Sequence, residues 1–266
     1  MSQAKKSNIY LICYFLLFSI NSIAASERES LILQKNQLDV CIWPDYFSIS
    51  YYNSKSNNLE GIDIDLSKAF ANDLGVKVNY VVSSFGRFMD DLKSNKCDIA
   101  MFGIAATDSR KKHVDFSNAY LSSHMYAITV NQHPFIKTWE DIDQEGVIVA
   151  VQKGTYMENA MRKQLKKASL KITTKPNQRE LEVQSGRADV FITDYPYGQK
   201  MISVFDWAKL IPLKASNDSL DYAYAVKKGQ PDWLERVNQF VADIKKDGRL
   251  KMYAEKNKLT PIVVYQ

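Results

Sequence analysis

The chain has 266 residues, 45% of them hydrophobic and 24% charged, with a formal net charge of +5. That length leaves room for one large domain or two of about 120 residues each. No basic stripe with interleaved aromatic residues occurs, so the mild positive excess implies solubility and excludes nucleic-acid binding as the function.

The N-terminus reads as a secretory signal peptide over residues 1–24. "MSQAKKSN" supplies Lys5 and Lys6, "IYLICYFLLFSI" is apolar, and "NSIAAS" is small and polar, with Ser22 and Ala24 suited to the cleavage site. The apolar run falls short of the roughly 20 residues that cross a bilayer. Cys13 lacks the small neighbours of a lipoprotein site. The expected location is therefore the periplasm.

Beyond this segment strand and helix alternate. "LDVCIW" reads as a strand, "GIDIDLSKAFANDLG" enters a helix with Leu66, Phe70 and Leu74 on one side, and "VKVNYVV" is a strand. "GRFMDDLKSN" reads as a second helix and "CDIAMFG" as a short buried strand. The programme recurs with "VIVAVQ", "TYMENAMRKQLKKA", "LKIT", "NQRELEVQSG" and "ADVFITD". "DLKSNKCDIAMFG" (91–103) lies over "EVQSGRADVFITD" (182–194) with Ser94 on Ser185 and Asp98 on Asp189. Two β-α-β-α-β runs imply two similar lobes, each a mainly parallel sheet flanked by helices.

"FSNAYLSSHMYAITV" reads as an extended connector between the runs. "DYAYAV" is a further strand, and "PDWLERVNQFVADIKKDG" and "RLKMYAEKN" are amphipathic helices that return to the first lobe. Residues 25–121 and 222–266 then form lobe 1 and residues 126–217 lobe 2, joined by hinge crossings at 122–125 and 218–221. Cys41 and Cys97 fall in strand-like segments, which suits either one disulfide in an oxidising compartment or two small buried thiols.

Ligands of open α/β sheets sit at the carboxyl ends of the strands. That rule selects "MFGIAATDSR", with the cation Arg110 near the loop from Gly103 to Ala106, and "TDYPYG", with the anion Asp194. A guanidinium on one lobe and a carboxylate on the other suit a zwitterion. "IWPDYFSIS" and "SSFGRF" place Trp43, Tyr46, Phe47 and Phe85 at the same sheet edge, where aromatic rings can wall a small ligand. His113, His124 and His133 lack paired-ligand spacing, and no catalytic serine elbow or phosphate loop occurs, so neither metal nor cofactor is expected.

"GIDIDLSKAFANDLG", "ATDSRKKHVDFSNAY", "VAVQKGTY", "SGRADVFITD" and "VADIKKDGRLKMYAEK" stand in the order found in the family 3 periplasmic solute-binding proteins, and residues 38 to 257 resemble that family. These are polar amino-acid receptors of ABC importers, with a two-lobed type II binding-protein fold. The resemblance implies that Arg110 holds the ligand α-carboxylate and Asp194 the α-ammonium. It places Tyr46 and Phe85 around the side chain, with backbone bonds from Gly103, Ala105 and Tyr156. It also implies a monomer that serves an ABC permease. Asp65 reads as a helix-terminal acid, whereas Asp63 faces the cleft in the resembling proteins and is a candidate for contact with ligand or water.

Departures from the pattern bear on specificity. Ala105 stands where Ser or Thr is common, Trp43 where basic-amino-acid receptors carry an acid, Phe102 where they carry a hydroxyl, and Met157 in place of Gln. These exchanges point to a neutral or aromatic amino acid. Cyclohexadienyl dehydratases share the architecture, but their glutamate three residues after the aspartate is Tyr197 here, and their connector lysine is Met125. A phenol of ordinary pKa about 10 is a poor general acid, so the expectation is a receptor and not an enzyme.

Overall fold

The computed structural model describes residues 26–213 and 219–265; the signal peptide read at 1–24 lies outside them. The first lobe opens with α1 (Glu27–Lys35), capped by the Ser26 hydroxyl accepting from the Glu29 N–H at 3.1 Å and ended by Asn36 in the left-handed region. β1 (Gln37–Ile42) leads into a small meander of β2 (Asp45–Tyr46), β3 (Ser50–Asn53) and β4 (Asn58–Glu60), then α2 (Ile62–Asp73), β5 (Lys77–Val82), α3 (Phe88–Lys93) and β6 (Ile99–Ala100). A one-turn α4 (Asp108–Lys111), β7 (Val114–Phe116), β8 (Leu121–Ser123) and β9 (Met125–Val130) follow.

The second lobe continues with β10 (Ile148–Gln152), α5 (Tyr156–Gln164), β11 (Ser169–Thr173), α6 (Gln178–Gln184), β12 (Val190–Asp194), α7 (Tyr195–Val204) and β13 (Ala208–Pro212). β14 (Leu220–Tyr222) and β15 (Ala225–Lys227) carry the chain back to α8 (Pro231–Lys246) and α9 (Arg249–Lys256), which pack on the first lobe: Trp233 and Phe240 stack on Phe70 of α2 at 5.6 and 4.5 Å.

The two sheets have one design. Their orders are β5-β1-β6-β15-β7 and β11-β10-β12-β9-β13; the first three strands of each are parallel, and the fourth runs antiparallel to both of its neighbours. In each sheet the fourth strand is the one that has just crossed from the other lobe. The crossings pair with each other as an antiparallel ribbon, Leu220 opposite Ser123 and Tyr222 opposite Leu121. The extended connector thus divides: β8 crosses, and β9 becomes an interior strand of the second sheet, because its apolar alternation fits between β12 and β13.

The sequence repeat is a structural repeat. The Asp98 carboxylate accepts the Asp39 N–H at 2.8 Å beside β1, and Asp189 accepts the Ile148 N–H at 2.7 Å beside β10. Ser94 and Ser185 each donate to the carbonyl four residues back, at 2.7 and 2.6 Å, closing α3 and α6. Each carboxylate accepts a main-chain amide of the neighbouring strand, a charge-assisted bond worth about 1.5–3 kcal/mol.

Three expected elements are trimmed. α5 stops at Gln164, not residue 168, because the amides of Lys166, Lys167 and Ala168 turn to the Asp143 carboxylate at 2.8–3.0 Å. α3 keeps only residues 88–93 of the longer helix read from "GRFMDDLKSN". The "DYAYAV" strand breaks after Tyr222, where the chain passes from the ribbon to the sheet. Cys41 and Cys97 form a disulfide, tying β1 to the loop before β6 across 56 residues of sequence; closing a loop of that length stabilises by about 2–4 kcal/mol.

Candidate functional site

Between the sheets lies a cavity lined by Trp43, Tyr46, Phe85, Gly103, Ala105 and Arg110 from the first lobe. Tyr156, Met157, Arg179, Asp194 and Tyr197 line it from the second. The sequence-derived residues Arg110, Asp194, Tyr46, Phe85, Gly103, Ala105, Tyr156, Trp43, Met157 and Tyr197 therefore converge on one place. Phe102 and Asp63 do not.

Arg110 is delivered by α4, whose first turn is capped by the Thr107 hydroxyl. Arg110 as a whole is 7% exposed, and its guanidinium donates to the Ala105 carbonyl at 2.9 Å and, across the cleft, to the Gly154 carbonyl at 3.0 Å. Phe85 and Phe88 lie 5.7 and 5.5 Å from it. Among the described residues no carboxylate pairs with it. Burial lowers its pKa to about 10, so it stays charged at neutral pH. A buried cation without a counter-ion is costly, and the cost is removed when an anion enters.

Asp194 ends β12 and caps α7, accepting the Tyr197 N–H at 3.4 Å on one oxygen. The other oxygen accepts the Tyr222 hydroxyl at 2.6 Å and the Tyr46 hydroxyl. Burial, reinforced by the neighbouring carboxylate, holds both phenols far above their ordinary pKa, so both remain donors. A carboxylate offers about four acceptor positions, and three are in use. Tyr46, Trp43 and Phe85 meet edge to face or tilted at 5.2–5.9 Å, forming the apolar wall.

Gly103 has φ +62°, and a Cβ there would stand 2.8 Å from the Tyr46 ring, so only glycine lets that ring lie against the loop. Its N–H is already donated, at 2.8 Å, to Asp63; only its carbonyl remains for another partner. The Ala105 carbonyl is engaged by Arg110.

Asp63 corrects the cleft-facing expectation. It is fully buried beneath the cavity, accepting from Gly103, from the Tyr120 hydroxyl at 2.7 Å and from the Tyr224 hydroxyl at 3.3 Å. It positions the Gly103 loop. Asp65 pairs with Lys256 at 2.8 Å and Asn257 at 3.1 Å, joining α2 to α9 instead of capping its own helix. Phe102 is also fully buried, packed 5.1 Å behind Phe85 and 5.8 Å from Phe88. Its large apolar ring completes the core under the aromatic wall.

Burial raises the Asp63 pKa to about 7, against the three hydrogen bonds that lower it. The folded state thus holds this proton where the unfolded chain, near 3.9, has lost it. Stability from this group is full below pH 4 and falls as pH rises to 7, by about 1.4 kcal/mol per unit at the steepest. Thermal melts between pH 5 and 8 should show this slope, and Asp63→Asn should flatten it.

Sequence reasoning missed Arg179, Gln152, Thr155, Thr193, Leu220 and Tyr222, which also line the cavity. Arg179 is 7% exposed, bonded through Nε to Glu180 at 2.8 Å and through Nη1 to the Ile192 carbonyl at 3.2 Å. Its guanidinium lies 4.4 Å from the Tyr197 ring and 4.9 Å from that of Phe191.

Residues 38–259 match the model of the bacterial extracellular solute-binding proteins, family 3. The chain belongs to this family. Among family relatives, a cyclohexadienyl dehydratase of Pseudomonas aeruginosa is 33% identical over 187 residues, 69% of either chain. An ancestral amino acid-binding protein described as a precursor of cyclohexadienyl dehydratase superposes with TM-score 0.79 at 32% identity, covering 86% of this chain and 98% of that one. The arginine-bound substrate-binding protein AbpA of Streptococcus pneumoniae gives TM-score 0.79 at 27% identity, over 87% and 98%. The two-lobed α/β architecture expected from the family resemblance is the one these neighbours share.

Proposed function

We propose that this family 3 protein captures a small amino-acid-like zwitterion between its lobes, outside the cytoplasmic membrane, and hands it to the permease of an ABC transporter. The observation that carries this reading is Arg110, a buried guanidinium lacking a carboxylate partner among the described residues, on the cavity that Asp194 lines from the other side. The ligand carboxylate supplies the missing counter-ion, and its ammonium takes the acceptor position left on Asp194. Trp43, Tyr46 and Phe85 cover the apolar part.

The two crossings act as the hinge. Arg110 and the aromatic wall belong to one lobe, Asp194 and the Tyr156 loop to the other, so a bound ligand favours the closed arrangement in which all of them reach it. The permease reads that outline. The protein acts as a monomer, and micromolar affinity, about −8 kcal/mol, is the expected scale. Calorimetric titration of the chain lacking residues 1–24 with each of the twenty L-amino acids tests the proposal. At least one should bind with unit stoichiometry; silence from all twenty would end it.

The Pseudomonas relative motivates a second reading, a dehydratase acting on prephenate or arogenate. It is disfavoured by Tyr197, whose phenol burial pushes still higher, and by the fully buried Met125 at the connector position. Incubation with both compounds, followed for phenylpyruvate or phenylalanine, decides it.

A further inference from the structure

We infer that the cavity selects an amino acid whose side chain ends in a planar oxygen acceptor, a carboxylate or carboxamide, which Arg179 recognises. This rests on the amino-acid-binding reading above and names the substrate class within it.

Arg179 is the second guanidinium on the cavity wall. Nε and Nη1 are committed to Glu180 and to the Ile192 carbonyl, which with the Phe191 and Tyr197 rings fix the plane of the group. Among the described residues Nη2 is bonded to no carbonyl or carboxylate, and the hydroxyl within reach of the guanidinium is that of Tyr197. A buried guanidinium with two arms fastened and the third held by no carbonyl or carboxylate is a rigid donor, pre-organised for an acceptor that enters the cavity. This donor stands on the second lobe, as does Asp194, whereas Arg110 stands on the first, so it is separate from the group that takes the α-carboxylate.

Glu180 is 6% exposed and pairs with Arg179 through Oε1, and its Oε2 has no partner among the described residues. Lys200 lies 4.9 Å from the same Tyr197 ring, and its pKa is lowered by burial. Asp194 acts on Arg179 and Asp45 on Lys200 as well as Glu180 on both, so the charges at this end are balanced and it is the fixed, directed donor of Arg179 that favours oxygen. Discrimination of this kind is strong, because a site built to donate leaves its donor unpaired with an apolar ligand. Trp43 and Met157 line the cavity as well; they cover the methylenes of the ligand and leave its polar end to Arg179.

Isothermal titration with L-glutamate, L-glutamine, L-norleucine and L-lysine tests this. The wild-type chain should bind glutamate or glutamine at least tenfold more tightly than norleucine, and lysine more weakly still. The first two ligands separate recognition of a carboxylate from that of an amide. Arg179→Met keeps the apolar stem over Tyr197 but strands Glu180, so Arg179→Met/Glu180→Gln is made alongside it and its fold checked by circular dichroism. In the folded variant the preference over norleucine should shrink to within about threefold. Preference of the wild type for norleucine or lysine would overturn the inference and leave amino-acid capture standing. A glutamate or glutamine preference that survives the double substitution would overturn it equally. Absence of binding by any amino acid would overturn both.

Discussion

Arg110→Met should reduce amino-acid affinity by two to three orders of magnitude without lowering the melting temperature of the ligand-free protein. The two halves of that result come from the same physics. Arg110 is 7% exposed, and among the described residues its guanidinium is held by two carbonyls, at 2.9 and 3.0 Å, so its desolvation is poorly offset. A methionine of similar length fills the space beside Phe85 and Phe88 and removes the charge. The ligand carboxylate, however, then enters a buried site with no cation to meet it. Truncating one partner of such a pair costs about 2–5 kcal/mol, which carries a micromolar ligand toward the millimolar range. Arg110→Lys should recover only part of the loss, since an ammonium cannot offer two parallel bonds. Calorimetry supplies the affinities and a thermal melt the stability. Undiminished binding by Arg110→Met would show that the carboxylate is held elsewhere.

The parts of the molecule legible from sequence are those in which local pattern and tertiary role coincide. Asp98 and Asp189 could be matched because each sits at a fixed distance before a buried strand, and each does the same thing to the neighbouring strand. Arg110 and Asp194 could be found because both follow strand carboxyl ends. Asp63 misled for a definite reason: a carboxylate at the head of a helix has several uses, and which donors reach it depends on Tyr120 and Tyr224, 57 and 161 residues away. α6 was legible as a helix, but not the face it buries. Leu181 is 56% exposed while Arg179, Glu180 and Glu182 are buried, the reverse of what apolar periodicity dictates. The reversal depends on the Arg179–Glu180 pair meeting Tyr197 and Phe191, partners that no window on α6 contains. α1 and the β2–β4 meander carry no long apolar repeat, so their existence is settled by what they cover.

Gly154→Ala should weaken ligand binding about 10- to 100-fold while leaving a folded protein that no longer closes. Gly154 has φ +79°, and a Cβ on it would stand 2.9 Å from the Gly86 nitrogen and 3.0 Å from the Gly86 Cα. Gly86 belongs to the loop before α3 on the first lobe and Gly154 to the loop before α5 on the second, so two backbones touch where the lobes meet. Beside this contact Arg110 bonds to the Gly154 carbonyl. An added methyl meets main chain, not a flexible side chain, and relief requires the lobes to part. The substitution also carries the cost of an L-residue at positive φ, about 1–2 kcal/mol, which by itself says nothing about closure. Gly146→Ala separates the two effects: Gly146 has φ +84° and nothing within 4 Å of its would-be Cβ. That control should lower the melting temperature to a similar extent and leave affinity unchanged. Small-angle scattering with saturating ligand should show wild type and Gly146→Ala compact and Gly154→Ala extended. If Gly154→Ala binds and compacts as the control does, the glycine contact plays no part in closure, and the hinge reading loses its most direct support.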